Sequence, residues 1–392
     1  MKTFLIVMLF LCAMQTDNIS LVLAKNESLN SSEDIELELE NTIDDLLQDF
    51  DLEQMDTFCV DEYSVFDNTS FREKVTAILH GEYFEDYDSL FKAIISLMFD
   101  GIASMLPMFL VILAVAILAS LLNGIKADSK NNVSSIINFV CMAVIISIMA
   151  INFTAIIDKT SECLQMMKKQ MDILFPMILT LMTAMGGSVT VGIFKPIVAI
   201  LTHLVSTLFQ AVLLPLFVLS FLFVIVGSLS PNVKLGKISD FVSSSFKWII
   251  GFVFTIFSAF LTIQGISAGK YDAVSIKASK FAIKSYVPII GGYLSEGFDF
   301  LMLGSMLIKN AIGVGGLIML LLTIISPLIQ IIVFKLGLQL VSGIIETTNN
   351  KEICDFVSSC SKVLLYPIVI ILAVAFMYLL SVSLLMCAVT IF

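Results

Sequence analysis

The sequence predicts an all-α, polytopic membrane protein with internal repeats of about 110 residues, preceded by a small acidic extracytoplasmic helical head. Three observations carry that prediction. Composition comes first: 58% of the 392 residues are hydrophobic and 14% charged, with a mean hydropathy of +0.98, against about 45–50% apolar and about 25% charged in soluble domains. Charge division comes second. Residues 25–100 hold 21 Asp and Glu against Lys25, Arg72, Lys74 and Lys92, whereas residues 101–392 hold 17 Lys and 11 acids. The net charge of −11 therefore describes neither part. The third observation is repetition. Asp240–Lys247 reads DFVSSSFK and Asp355–Lys362 reads DFVSSCSK, with a fainter Val133-Ser134-Ser135. Pro107, Pro215 and Pro327 keep nearly the same spacing, as a duplicated membrane unit would.

In chain order, residues 1–24 read as a signal peptide: Lys2, an apolar core from Phe4 to Met14, and Val22-Leu23-Ala24 before a cleavage site at Lys25. The acidic head, 25–100, is expected to start disordered. It then shows helical spacing at Leu37, Leu39, Ile43, Leu46, Leu47 and Phe50, and a second helix from Phe71 to Leu79. It is too short and acidic for a large core of its own, so it should lie against the membrane body or a partner. Cys59 would be its one cysteine.

Membrane unit 1, 101–208, is predicted as spans at Gly101–Leu122 and from Val133 to Ile157, then an amphipathic stretch Asp158–Asp172. A run broken at Gly186-Gly187 and Lys195-Pro196 suits a re-entrant pair or two shallow spans. Unit 2, 209–310, repeats the plan with Phe209–Leu229, Trp248–Ile266, a basic stretch Lys270 to Lys284, and Pro288 before Gly291-Gly292. Unit 3, 311–392, is truncated. With the head exported, the first span runs inward and places Lys126 and Lys130 in the cytoplasm, as the positive-inside rule favours. The same count puts Lys270–Lys284 outside, against that rule.

Enzyme signatures are missing. GISAGK at Gly265–Lys270 has the wrong spacing for a nucleotide loop. Two histidines, His80 and His203, make neither a triad nor a zinc set. The expectation is a protein that is not an enzyme and has no cofactor, no metal and no nucleic-acid partner. Its surroundings are the lipid bilayer, and self-association into a homo-oligomer is compatible with such a body.

Polar groups inside apolar runs carry what functional signal there is, because a charge at bilayer depth costs about 2.5–3.5 kcal/mol on insertion scales. Lys195, Asp299, Lys309 and Asn310 are the candidate pathway residues; His203 and Lys335 share the setting. Lys195-Pro196 and Lys309-Asn310 fall at matching places in successive units, and Lys309-Asn310 precedes Gly313-Val314-Gly315-Gly316, small residues that permit close helix contact or a broken helix. They form either a polar constriction between repeats, or lysines that snorkel or pair with an acid such as Asp299. In the repeated motif Asp240, Ser243 and Ser244, with Asp355, Ser358 and Ser359, are residue types that cap a helix start, so a capping role is expected there.

Gly265, Asp272, Lys280-Phe281, Pro288, Gly291-Gly292, Lys309-Asn310 and Gly313-Val314-Gly315 together resemble the stage III sporulation protein AE family. That resemblance extends to the signal, acidic head and repeated hydrophobic units. It implies a polytopic protein of the mother-cell membrane facing the forespore, within a channel complex that also includes ring-forming proteins and a separate ATPase. The rival class is a stand-alone secondary transporter, for which repeats, Gly-broken helices and intramembrane lysines also speak.

Overall fold

The computed structural model describes residues 71–79, 87–125, 132–229, 236–286, 291–348 and 350–388. The signal peptide, the helical spacing at 37–50, Cys59 and His80 lie outside the described residues. Helix α1 (Phe71–Leu79) matches the predicted second helix of the head. The others are α2 (Tyr87–Ile125), α3 (Asn132–Ala184), α4 (Ser188–Leu204), α5 (Leu214–Leu229), α6 (Gly236–Tyr286), α7 (Gly291–Glu346), α8 (Lys351–Val363) and α9 (Leu365–Cys387). A π-helical stretch, Val205–Leu213, joins α4 to α5 without a loop.

Six stretches are long and apolar enough to cross a membrane: Ile94–Leu122, Ile136–Ala184, Ser188–Leu229, Lys237–Thr262, Phe300–Glu346 and Lys351–Cys387. The predicted spans overlap them, though Val133–Ile157 starts before and Trp248–Ile266 ends after its candidate span, and the helices are longer. At 1.5 Å per residue, the 53 residues of α3 reach about 80 Å, against a hydrocarbon core of about 30 Å. Pro107, Pro176 and Pro327 sit inside α2, α3 and α7. The amphipathic stretch Asp158–Asp172 is the middle of α3, and the predicted boundary between units 2 and 3 falls inside unbroken α7. The break at Gly186-Gly187 is real: α3 ends at Ala184 and α4 starts at Ser188. Gly186 takes φ 85°, a backbone region open to glycine at little steric cost.

Helix α7 is the axis. It packs against α1, α2, α3, α6, α8 and α9. Helices α3 and α9 run antiparallel to it and α2 parallel to it, as the cross-contacts show: Phe153 meets Phe334, Leu174 lies at Gly316, Met386 at Gly313, and Ser120 donates to the Thr348 carbonyl near the end of α7. The core around these helices, with α5, is rich in aromatic contacts. Phe153 stacks on Phe221 at 3.8 Å and Phe175 meets Tyr378 edge-on at 5.7 Å. Outward positions such as Ile151, Phe241, Trp248 and Leu340 are exposed. In a soluble protein they would form an aggregating surface; here they are the face for lipid.

Candidate functional site

The chemistry gathers where charged side chains meet the ends of other helices. Lys309, on α7, is fully buried. Its Nζ donates to the carbonyl oxygens of Met386 at 3.0 Å and Ala388 at 2.7 Å. These carbonyls lie at the C-terminal end of α9, whose last C=O groups have no intrahelical N–H partner once the chain leaves the helix at Ala388. A cation at this end also meets the negative pole of the helix dipole. Burying the ammonium is therefore offset by two charge-assisted hydrogen bonds, about twice as strong as neutral ones. The lysine neither snorkels nor stands in open water.

The glycines after it set three neighbours at close range. A Cβ on Gly313 would stand 2.5 Å from the Met386 sulfur, on Gly316 2.4 Å from a Leu174 methyl, and on Gly315 3.1 Å from the Phe71 ring. One turn of α7 thus seats α9, α3 and α1 on different sides. The head helix inserts Phe71 and Val75, both fully buried, against Gly315. Of the two predicted uses of these small residues, close contact is the one realised, since α7 stays helical throughout.

A second trans-acting cap sits at the other kind of helix end. Asp272 of α6 is 1% exposed, and its carboxylate accepts from the backbone N–H of Val189 at 3.1 Å and of Thr190 at 2.9 Å. Those are free donors of the first turn of α4, just past the Gly186-Gly187 break, where Gly187 itself provides no side-chain cap. A negative charge at a helix start complements the dipole as Lys309 does at a helix end. Sequence spacing gave no hint of this role, because the partner backbone lies more than 80 residues upstream.

Lys195 is brought to a different place. It lines a cleft of about 640 Å³ between the second half of α3 and α4, together with Lys168, Asp172 and His203. Lys195 and Lys309, expected at matching places of successive units, therefore hold unlike places in the fold: one exposed in a cleft, one sealed in the core. Asn310 is half-buried, and among the described residues its Oδ1 has no hydrogen-bond partner. Asp299 lies on α7, with its side chain outside the described residues. Lys335 is half-buried, and its backbone carbonyl accepts from Ser361 Oγ at 3.2 Å.

The capping role expected of the repeated motif is corrected. Asp240, Ser243 and Ser244 lie past the first turn of α6, which begins at Gly236. Asp355, Ser358 and Ser359 lie inside α8, whose cap is Asn350: its side chain accepts from the Ile353 N–H at 3.5 Å. The polar run was the visible signal, but the chain had already turned helical before it. Among the described residues, no three His, Cys, Asp or Glu side chains come together as a metal-holding group.

Comparison with known proteins adds identity to this geometry. A family model described as stage III sporulation protein AE matches residues 69–389. A curated relative, the stage III sporulation protein AE of Bacillus subtilis (strain 168), is 23% identical over 263 residues. That stretch covers 67% of this chain and 66% of the relative, so just under two thirds of the relative's length is matched. No solved structure gives a significant match. The family match begins two residues before α1 and ends one residue past Ala388, so it takes in every helix described above, and the chain belongs to the stage III sporulation protein AE family.

Proposed function

We propose that the protein works in sporulation as a polytopic component of the mother-cell membrane facing the forespore, within a channel complex whose passage it helps to line or gate. The observation that carries this reading is the family match over residues 69–389, which runs through all six candidate spans. Its partners in this proposal are ring-forming envelope proteins and a separate ATPase, and it acts without enzymatic turnover or a cofactor of its own. The exported head meets those partners, while α1 anchors the head to α7 at Gly315. In this orientation the end of the body that carries Lys309 and the end of α9 faces the space between the two membranes.

Affinity purification from sporulating cells, through a tag placed in the acidic head, tests the assembly. Co-purification of the ring-forming proteins and the ATPase is the expected result. Recovery of the protein without them, together with solute uptake by the reconstituted chain, would instead favour a stand-alone transporter, for which the Gly-broken α3/α4 hairpin is the structural argument.

A further inference from the structure

The cleft between α3 and α4 takes no part in the helix-end caps, and its lining is unusual for a surface bathed in lipid. Helix α4 turns back along α3 at Gly186-Gly187, so Thr183 and Val191 lie near the turn and Lys168 and His203 far from it. Lys168 and Asp172 are four residues apart on α3, the spacing at which opposite charges on a helix offset each other. Lys195 is the other lysine of the lining, with no acidic residue at helical spacing beside it on α4. It stands among Pro176, Leu179, Val198 and Ala199, an apolar wall that a small hydrated anion would leave unused. The hydroxyls of Thr180 and Thr183 donate to the Pro176 and Leu179 carbonyls at 2.8 and 2.9 Å. Their oxygens therefore remain as acceptors along the same wall.

We propose that this cleft binds an anionic phospholipid, with Lys195 paired to the phosphate diester, Thr180 and Thr183 accepting from a headgroup alcohol, and an acyl chain against Pro176, Leu179 and Val198. The shared chemistry is a phosphate, which a lipid or a free anion could bring. The apolar wall selects the lipid, as basic pockets between membrane helices do. Both walls belong to candidate spans by length and composition, Ile136–Ala184 and Ser188–Leu229, and sideways entry of the lipid from the bilayer is part of the proposal. The site is independent of the assembly proposed above.

The test is native mass spectrometry of the full-length protein in detergent, titrated with phosphatidylglycerol or with phosphatidylcholine. Wild-type protein should retain phosphatidylglycerol in preference to phosphatidylcholine. Lys195→Gln should weaken that retention roughly tenfold, and Lys195→Arg should keep it. Lys237→Gln, an exposed lysine outside the cleft, should leave it unchanged. Millimolar inorganic phosphate should not displace the lipid. Equal retention of the two lipids, or retention by Lys195→Gln matching wild type, would overturn the proposal, and so would displacement by inorganic phosphate, which would make this a free-anion site. Unchanged thermal unfolding of Lys195→Gln separates lost binding from lost fold, since the residue is exposed.

Discussion

Lys309 holds the end of a helix that begins more than 50 residues after it: its ammonium donates to the Met386 carbonyl at 3.0 Å, while Gly313, one turn along α7, lets the Met386 side chain lie against the backbone. A buried charge and a missing side chain thus act on the same residue. If the lysine is a latch, removing its charge should loosen the end of α9 before anything else. Lys309→Met keeps much of the volume and should cost about 1–3 kcal/mol, the range for buried acceptors left unpaired. Hydrogen exchange should quicken at Ala388, whose N–H closes the last turn on Leu384, and stay slow at mid-helix positions such as Val374.

Asp272 predicts a local effect at the opposite kind of helix end. Asp272→Ala should cost about 0.5–2 kcal/mol, the usual range for a lost cap. Exchange should rise at Val189 and Thr190, the two amides that its carboxylate accepts from. Asp272→Asn keeps one acceptor oxygen and should fall between wild type and alanine.

The glycine contacts rank themselves by what stands opposite. At Gly337 a Cβ would lie 2.1 Å from the Phe109 ring, which is stacked on Phe334 with centroids 6.1 Å apart and has little room to move. At Gly313 the obstacle is the flexible thioether of Met386. Gly337→Ala should therefore destabilise by about 1–3 kcal/mol, and more than Gly313→Ala. Phe109→Leu should recover part of the loss in the double variant, as thermal unfolding in detergent would read.

Much of this body was legible in the sequence, and the misses have physical causes. Apolar runs marked membrane-spanning helices, although the boundary drawn at 208/209 falls inside one continuous candidate span, and Gly186-Gly187 marked a true break because a positive φ suits glycine. Lys195-Pro196 misled: Pro196 is absorbed in unbroken α4, as membrane helices tolerate when neighbours satisfy the freed carbonyls. Lys309 stood out as a costly charge, but its partners are backbone atoms 77 and 79 residues away, which no side-chain pattern reveals. Asp272 was visible as a residue and silent as a cap for the same reason. The DFVSS motif looked like a cap because it is polar, while Asn350, the residue that caps α8, lies in a short polar stretch without periodicity.

Phe71 offers a test of the joint between head and body. The side chain is fully buried against Gly315, and truncating a core phenylalanine to alanine typically costs about 3–5 kcal/mol. In Phe71→Ala that loss should appear as undocking of α1. Limited proteolysis should then cleave near α1 at protease levels that leave the wild type intact, with the six candidate spans still protected by detergent or lipid.

The most direct test joins the latch to the biology: heat-resistant spore counts from strains carrying Lys309→Ala, Asn310→Ala or Lys335→Ala at matched membrane levels. Fewer spores are expected with Lys309→Ala and Asn310→Ala than with Lys335→Ala, because Lys309 holds the end of α9 and Asn310 directly precedes the turn of α7 that seats α1, α3 and α9. Wild-type sporulation in all three strains would contradict the account.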